Sequence, residues 1–230
     1  MRQTLPIHSI TLDLDGTLLD TVPDLAAAAN AMLSELVLPG RPEQEIRNFV
    51  GRGIDHLVLR CLCAGAPLPA EELARAVAIY YRHYALANGR AARPFPGVIR
   101  GLDAFRRMNL KMAVVTNKAK AFTDPLLVAT GLAPYFEFAV CGDTLAEKKP
   151  HPLPLIHACE RLGTRPGSNL HIGDSKHDAA AARAAGCPVF CVPYGYNEGA
   201  DVRKLDCDAI VATLEEAAGM ISVINAVAAA

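Results

Sequence analysis

Short apolar runs rich in β-branched residues alternate with helix-patterned stretches along most of this chain, and that alternation leaves few folds open. Strand-like runs fall at His8 to Leu12, Lys111 to Val115, Phe136 to Val140, Asn169 to Ile172 and Pro188 to Val192, with a weaker one at Asp208 to Val211. Helical patterns occupy Val98 to Met108, Ala119 to Thr130, Leu153 to Leu162, His177 to Ala185 and Leu214 to Val223. Gly131, Gly163 and Gly186 stand just past three of these, where a helix C-terminus favours glycine. Strand and helix in alternation imply an α/β fold, a parallel sheet covered by helices on both faces.

The rhythm breaks once. After the first strand come about seventy residues with helical patterns and no convincing strand: one helix opening at Pro23, others near Glu43 to Phe49, Ile54 to Cys63 and Glu71 to Asn88. Pro39-Gly40, Gly65-Ala66-Pro67 and Pro94-Phe95-Pro96-Gly97 punctuate them. The expected division is an α/β core of residues 1–19 and 94–230 carrying a helical cap of residues 20–93, with hinges near Thr17–Thr21 and Arg93–Gly97. The Ala-rich end, Ala226 to Ala230, reads as a frayed tail.

Composition excludes more than it selects. A net charge of −1 gives no general attraction to nucleic acid or to anionic membranes. No apolar run approaches the roughly 18 residues of a membrane helix, and Met1 to Pro6 has no signal-peptide pattern. A cytoplasmic monomer or homodimer is expected. The seven cysteines are odd in number and sit mostly in apolar runs. No second pair at zinc-site spacing accompanies Cys61-Leu62-Cys63 or Cys187-x-x-x-Cys191, so they read as small buried hydrophobes.

In an open parallel sheet, ligands bind beyond the carboxyl ends of the strands. Here those ends carry Asp13-Leu14-Asp15-Gly16-Thr17, Thr116-Asn117-Lys118, and Gly173-Asp174-Ser175-Lys176-His177-Asp178, while Lys148-Lys149-Pro150 follows the third strand. Asp13 and Asp15, two residues apart, lean the same way in extended chain, and two such anions repel unless a cation sits between them. A hard divalent ion such as Mg²⁺ suits them, with Asp174 as a further ligand. Each signal has an ordinary reading as well. Asp-x-Asp-Gly-Thr can close a turn, Ser175-x-x-Asp178 fits a helix capping box, Thr116 fits a strand and Lys149 a solvated surface.

Taken together and in order, these segments resemble the motifs of the haloacid dehalogenase-like superfamily over nearly the whole chain. They stand as Asp13-x-Asp15-Gly16-Thr17, Thr116-Asn117, Lys149-Pro150 and Gly173-Asp174-Ser175-x-x-Asp178. The resemblance implies a Rossmann-like parallel sheet core with an all-helical cap inserted after the first strand. It also implies roles: Asp13 as nucleophile forming an aspartyl-phosphate, Asp15 as general acid then base, and Thr116, the Asn117 backbone and Lys149 as holders of the phosphoryl oxygens. Asp13, Asp174 and the Asp15 carbonyl would bind Mg²⁺, with Asp178 supporting. An acid two residues after the nucleophile is what the superfamily's dehalogenases lack, so Asp15 points to phosphoryl transfer.

Narrower segments resemble bacterial phosphoglycolate phosphatases: Asp15 to Leu25, Phe49-Val50-Gly51-Arg52-Gly53, Phe95-Pro96-Gly97-Val98, Lys149-Pro150-His151-Pro152 and Tyr194-Gly195-Tyr196. The implied reaction is hydrolysis of 2-phosphoglycolate, a small phosphorylated metabolite. Gly51, Arg52 and Gly53, just before a helix, are candidates for the glycolate carboxylate through backbone N–H groups and a guanidinium; Arg52 departs from the neutral residue many relatives carry, and equally fits an exposed helix start. Alternatives are phosphatases of sugar phosphates, amino-sugar phosphates or pyrophosphate, a phosphosugar mutase, and a non-catalytic phosphate-binding module.

Overall fold

The chain enters through a short strand, β1 (Leu5–Ile7), and passes at once into β2 (Ser9–Leu12), every residue of which is buried. The computed structural model describes residues 5–63 and 68–223; the Gly65-Ala66-Pro67 break and the Ala226 to Ala230 tail lie outside them. A tight turn leads to β3 (Leu19–Asp20) and then to helices α1 (Val22–Glu35), α2 (Glu43–Arg47), α3 (Ile54–Cys63) and α4 (Ala70–Ala87). Strand β4 (Arg93–Pro94) pairs antiparallel with β3, so a two-stranded strap lies where the chain leaves for these helices and returns. The alternating part follows: α5 (Val98–Arg107), β5 (Lys111–Val115), α6 (Lys120–Ala129), β6 (Ala139–Val140), α7 (Leu153–Leu162), β7 (Asn169–Gly173), α8 (Lys176–Ala185), β8 (Val189–Cys191), β9 (Ala209–Ile210), α9 (Leu214–Gly219) and β10 (Ile221–Val223).

The main sheet has six parallel strands in the order β6-β5-β2-β7-β8-β9. From β2 the sheet grows to one side through β5 and to the other through β7, so the strand order reverses beside β2 and a crevice opens at its carboxyl end. The expected parallel sheet is present, with its strands generally shorter than the sequence suggests. Ile221–Val223, expected as the last turns of a helix, instead forms β10 and pairs in parallel with β1; Ile-Ser-Val at an α9 that stops at Gly219 favours extended chain over helix. Phe136 to Phe138 lies outside β6, whose paired residues are Ala139 and Val140, although Glu137 N and the Phe138 carbonyl still bond to Met112 and Val114 of β5.

Central strand β2 carries polar residues in a dry position, and each is satisfied laterally. Ser9 Oγ donates to Asn169 Oδ1 at 2.8 Å, Asn169 Nδ2 donates to Thr11 Oγ1 at 2.9 Å, and Thr11 Oγ1 lies 3.0 Å from His171 Nδ1. Unpaired, such groups would each cost about 1–3 kcal/mol. Paired, they lock the register of β2 on β7.

Helices α1–α4 share an apolar core of their own, built around Leu25, Ala29, Met32, Ile46, Val58, Tyr80 and Tyr84. Asp24, buried in the first turn of α1, accepts hydrogen bonds from the backbone N–H groups of Gly89, Ala91 and Ala92 at 2.7–3.1 Å. One carboxylate thus fastens the start of the helical segment to its end. Cys61, Cys159, Cys187 and Cys191 are buried among apolar neighbours, and Cys141 is buried as well. No helix among the described residues is long and apolar enough to cross a membrane.

Candidate active site

The crevice at the carboxyl edge of the sheet collects the residues that the motifs singled out. Asp13 and Asp15 follow β2, Thr116 and Asn117 follow β5, Asp174 and Asp178 follow β7, and Lys149 reaches in from the loop before α7. A small cavity of about 50 Å³ is lined on the sheet side by Asp13, Asp15, Thr116, Asn117, Lys118 and Lys149. Gly51, Gly53, Leu25, Val50, Ile54 and Leu57 wall it from the helical side.

Lys149 is the centre of the charge network. Its Nζ donates to the Val115 carbonyl at 2.7 Å and to Asp178 Oδ1 at 2.6 Å, and lies 2.8 Å from Asp13 Oδ1. Burial alone would discharge this amine, but Asp13 and Asp178 outweigh it and hold the ammonium well above its ordinary range. Asp178, in turn, is saturated. Besides Lys149 it faces His171 Nε2 at 3.1 Å, and its Oδ2 accepts from Ser175 N at 3.1 Å and Ser175 Oγ at 2.6 Å. Burial pushes its carboxyl up, yet Lys149 and then His171 more than reverse that, holding it far below the usual carboxylate range. The Ser175–Asp178 capping box forms as the spacing suggests, and the same Asp178 side chain positions Lys149. His171 stays neutral because burial pushes its imidazole down more than Asp178 raises it.

Asp13 and Asp174 are different. Burial, with Asp178 and Asp174 adding repulsion against the opposing Lys149, pushes the Asp13 carboxyl up to about 8. Burial and then Asp178 push Asp174 up to about 7, against hydrogen bonds from Tyr196 N at 2.6 Å and Thr17 Oγ1 at 3.1 Å. Oxygens of Asp13, Asp174 and Asp178 lie within 4.8 Å of one another, and Asp13 Oδ1 is buried off the hydrogen-bonding direction of its neighbour Lys149. A buried acceptor without a donor, beside a second carboxyl whose burial pushes it up, fits a divalent cation. Asp178 has no oxygen left over and holds Lys149 instead. The Asp15 side chain is turned away from this group: its Oδ1 accepts from Thr21 Oγ1 at 2.7 Å and pairs with Lys118 Nζ at 3.1 Å.

Two glycines make room for Asp174. A Cβ on Gly195 would stand 2.2 Å from that of Asp174, and one on Gly16, whose φ is +89°, would stand 2.5 Å from its Oδ2.

The remaining sequence candidates divide. Thr116 lines the cavity, and its Oγ1 accepts from Lys118 N at 3.2 Å. Asn117 Nδ2 donates to the carbonyls of Gly51 and Lys149, both at 2.9 Å, tying the loop before α3 to the sheet edge. Gly51 and Gly53 face the cavity, but Arg52 does not. It lines a neighbouring depression with Asp55, His56, Lys148 and His151, and its carbonyl accepts from Lys148 Nζ at 3.1 Å. Sequence reading missed Lys118, His171, Tyr84 and Tyr196. The signal for Lys118 was present, since it directly follows Thr116-Asn117 at a strand end.

Comparison with known proteins converges on one family. A model of the haloacid dehalogenase-like hydrolases matches residues 10–192. A phosphoglycolate phosphatase of Thiobacillus denitrificans is 52% identical over 221 residues, covering 95% of this chain and 97% of that protein. One from Nitrosospira multiformis is likewise 52% identical, over 96% of this chain and 98% of its own. Among solved structures, that of a predicted phosphoglycolate phosphatase from Haemophilus somnus 129pt superposes with a TM-score of 0.86 at 32% identity, covering 92% of this chain and 96% of that one. Sheet order, strand-end acids and these likenesses together identify the chain as a member of the haloacid dehalogenase-like hydrolases.

Proposed function

We propose that this enzyme hydrolyses 2-phosphoglycolate to glycolate and phosphate, with Mg²⁺ bound at the acidic pocket and residues 20–93 acting as a cap over a core of residues 1–19 and 94–230. The observation that carries the reading is the paired disposition of Asp13 and Asp15. One is buried against Lys149, while the other is turned aside and hydrogen-bonded at the mouth of the same cavity. The relatives' activity supplies the substrate, and the small cavity suits a leaving group of a few atoms.

In this reading an Asp13 oxygen attacks phosphorus and the bond to the ester oxygen breaks, leaving an aspartyl-phosphate. Asp15 gives its proton to the departing glycolate oxygen. It then takes a proton from the water that attacks phosphorus and releases Asp13. Thr116, the Asn117 backbone and Lys149 hold the phosphoryl oxygens as charge develops, and Asp178 keeps the Lys149 ammonium aimed. Mg²⁺, held by Asp13, Asp174 and the Asp15 carbonyl, would offset the negative charge of the phosphoryl group. The helical wall, tied down by the Asn117–Gly51 bond, keeps bulk water from the phosphorylated Asp13.

Steady-state assays on a panel of small phosphate esters, with and without Mg²⁺, test this. 2-Phosphoglycolate is expected among the best by kcat/KM, and a clear preference for sugar phosphates would sink the assignment. Asp13→Asn is expected to lower kcat on the order of 10⁴-fold or more; unchanged phosphate release would exclude the covalent route.

A further inference from the structure

We propose that Lys118 determines specificity by receiving the substrate's carboxylate, because its ammonium lines the cavity immediately beyond Asp15, on the leaving-group side. The inference rests on the reading of the substrate as a small phosphate ester that bears a carboxylate.

Lys118 and Lys149 are the amine cations lining the cavity among the described residues. Lys149 donates to Val115 and Asp178, lies 2.8 Å from Asp13 and belongs to the phosphoryl end. Arg52 lies in the adjoining depression. His177, which also lines the cavity, faces Glu198 at 2.8 Å, so Lys118, with Asp15 as its charged partner, is the cation placed to meet a second anionic group.

Its geometry suits that task. The side chain is 3% exposed, with Nζ 3.1 Å and 3.4 Å from the two Asp15 oxygens and hydrogen-bonded to the Tyr84 hydroxyl. An ammonium carries three hydrogens; the Tyr84 hydroxyl and Asp15 Oδ1 take the closer contacts, and the one to Asp15 Oδ2 at 3.4 Å is the longest and the one an incoming carboxylate can displace. A proton donor at Asp15 must lie within hydrogen-bond reach of the leaving oxygen. In a phosphorylated 2-hydroxy acid the carboxyl carbon is two bonds from that oxygen. Asp15 thus marks the position of the leaving oxygen, and Lys118, in contact with Asp15, meets what is attached just beyond it. The facing wall, Leu25, Val50, Ile54 and Leu57, offers no charge. Tyr84, from helix α4, fixes the Lys118 ammonium between the helical segment and the sheet edge and sets its ring 4.8 Å from Nζ.

The test is the ratio of kcat/KM for 2-phosphoglycolate to that for ethyl phosphate, which has the same ester oxygen and no carboxylate. Lys118→Gln keeps an N–H for Asp15 and removes the charge. Its kcat/KM on 2-phosphoglycolate is expected to fall about 100-fold, the effect of one charge-assisted hydrogen bond, with a loss of less than about tenfold on ethyl phosphate. A merely structural lysine, or one acting only through Asp15, would lower both substrates alike and leave the ratio unchanged, and that result overturns the inference. Lys118→Met, which fills the same volume without charge, reads the same ratio if the glutamine variant folds poorly. A wild-type enzyme with no preference for 2-phosphoglycolate over ethyl phosphate would instead refute the substrate reading on which the inference stands.

Discussion

Replacing Asp178 with asparagine probes the network under the cavity without touching its surface. Asp178 is fully buried and accepts from Lys149, Ser175 N and Ser175 Oγ, with His171 Nε2 at 3.1 Å. An amide of the same shape removes the charge opposite Lys149 and points an NH₂ group at donors on one side. Breaking one partner of a buried pair costs about 3–5 kcal/mol, and Lys149 keeps Asp13, so the lower end applies, about 3 kcal/mol. At roughly 2–4 °C per kcal/mol for a chain of this size, Tm at pH 7 drops by about 6–12 °C. The pH dependence has a definite sign. A carboxyl held below its unfolded value of about 4 contributes stability that is present above that pH and lost as pH falls through the folded pKa. Wild type and variant should therefore differ by a constant Tm from pH 8 to about 5 and converge below about 4. Thermal melts across that range, paired with kcat/KM expected to fall about 10–100-fold, make the check. A Tm within 2 °C of wild type with undiminished kcat/KM would refute the claim that Asp178 holds Lys149 in place.

Metal affinity should tighten with pH. Asp13 and Asp174, raised by burial to about 8 and about 7, favour the metal-free fold while protonated, and that stability is lost as pH rises through those values. Calorimetric Kd values for Mg²⁺ between pH 6 and 8 are thus expected to fall by up to about tenfold per pH unit for each proton released; a flat profile contradicts this. Gly195→Ala would press its methyl onto Asp174 and weaken Mg²⁺ binding about tenfold, while Gly219→Ala, with nothing within 4 Å, serves as the control with an unchanged Kd. Inorganic phosphate is expected to inhibit competitively only when Mg²⁺ is present, so an equal Ki in a chelator-treated assay that uses any residual activity would count against the site.

What could be read from the chain depended on how far each signal carried. Strands β2, β5, β7 and β8 are almost wholly buried, and the Ile, Leu and Val residues that fill them make short apolar-rich runs the eye finds easily, even where β2 and β7 intersperse polar residues. Strands β1 and β10 have three residues each, too few for periodicity. Ile221 to Val223 continues the apolar pattern of the helix before it, so only its partner Leu5 to Ile7 reveals it as a strand. The acids were legible because strand ends gather ligands whatever the details of packing. Lys118 stood in a strand-end segment as well, but its role was not legible, because the residues that give it meaning, Tyr84 and Asp15, lie 34 and 103 positions away. His171 reads as strand filler until Asp178 folds back over it.

The charges explain why these acids tolerate one another. Asp13, Asp15, Asp174 and Asp178 converge on two ammoniums, Lys118 and Lys149, so the carboxylates outnumber the cations even before a phosphate arrives. Lys149 is paired with Asp13 and Asp178, and Lys118 with Asp15, while Asp174 has neutral hydrogen-bond donors, the Tyr196 N–H and the Thr17 hydroxyl. In a dry pocket that surplus has two outlets, uptake of protons or uptake of a cation. The raised values of Asp13 and Asp174 are the first outlet, and a divalent ion is the second. In the proposed reaction only the second leaves Asp13 ionised for its attack, and only it makes a dianionic ester welcome where carboxylates already crowd. The fit of this pocket to a divalent cation therefore follows from the placement of Asp174 beside Asp13, with Gly16 and Gly195 clearing the space that lets it approach so closely.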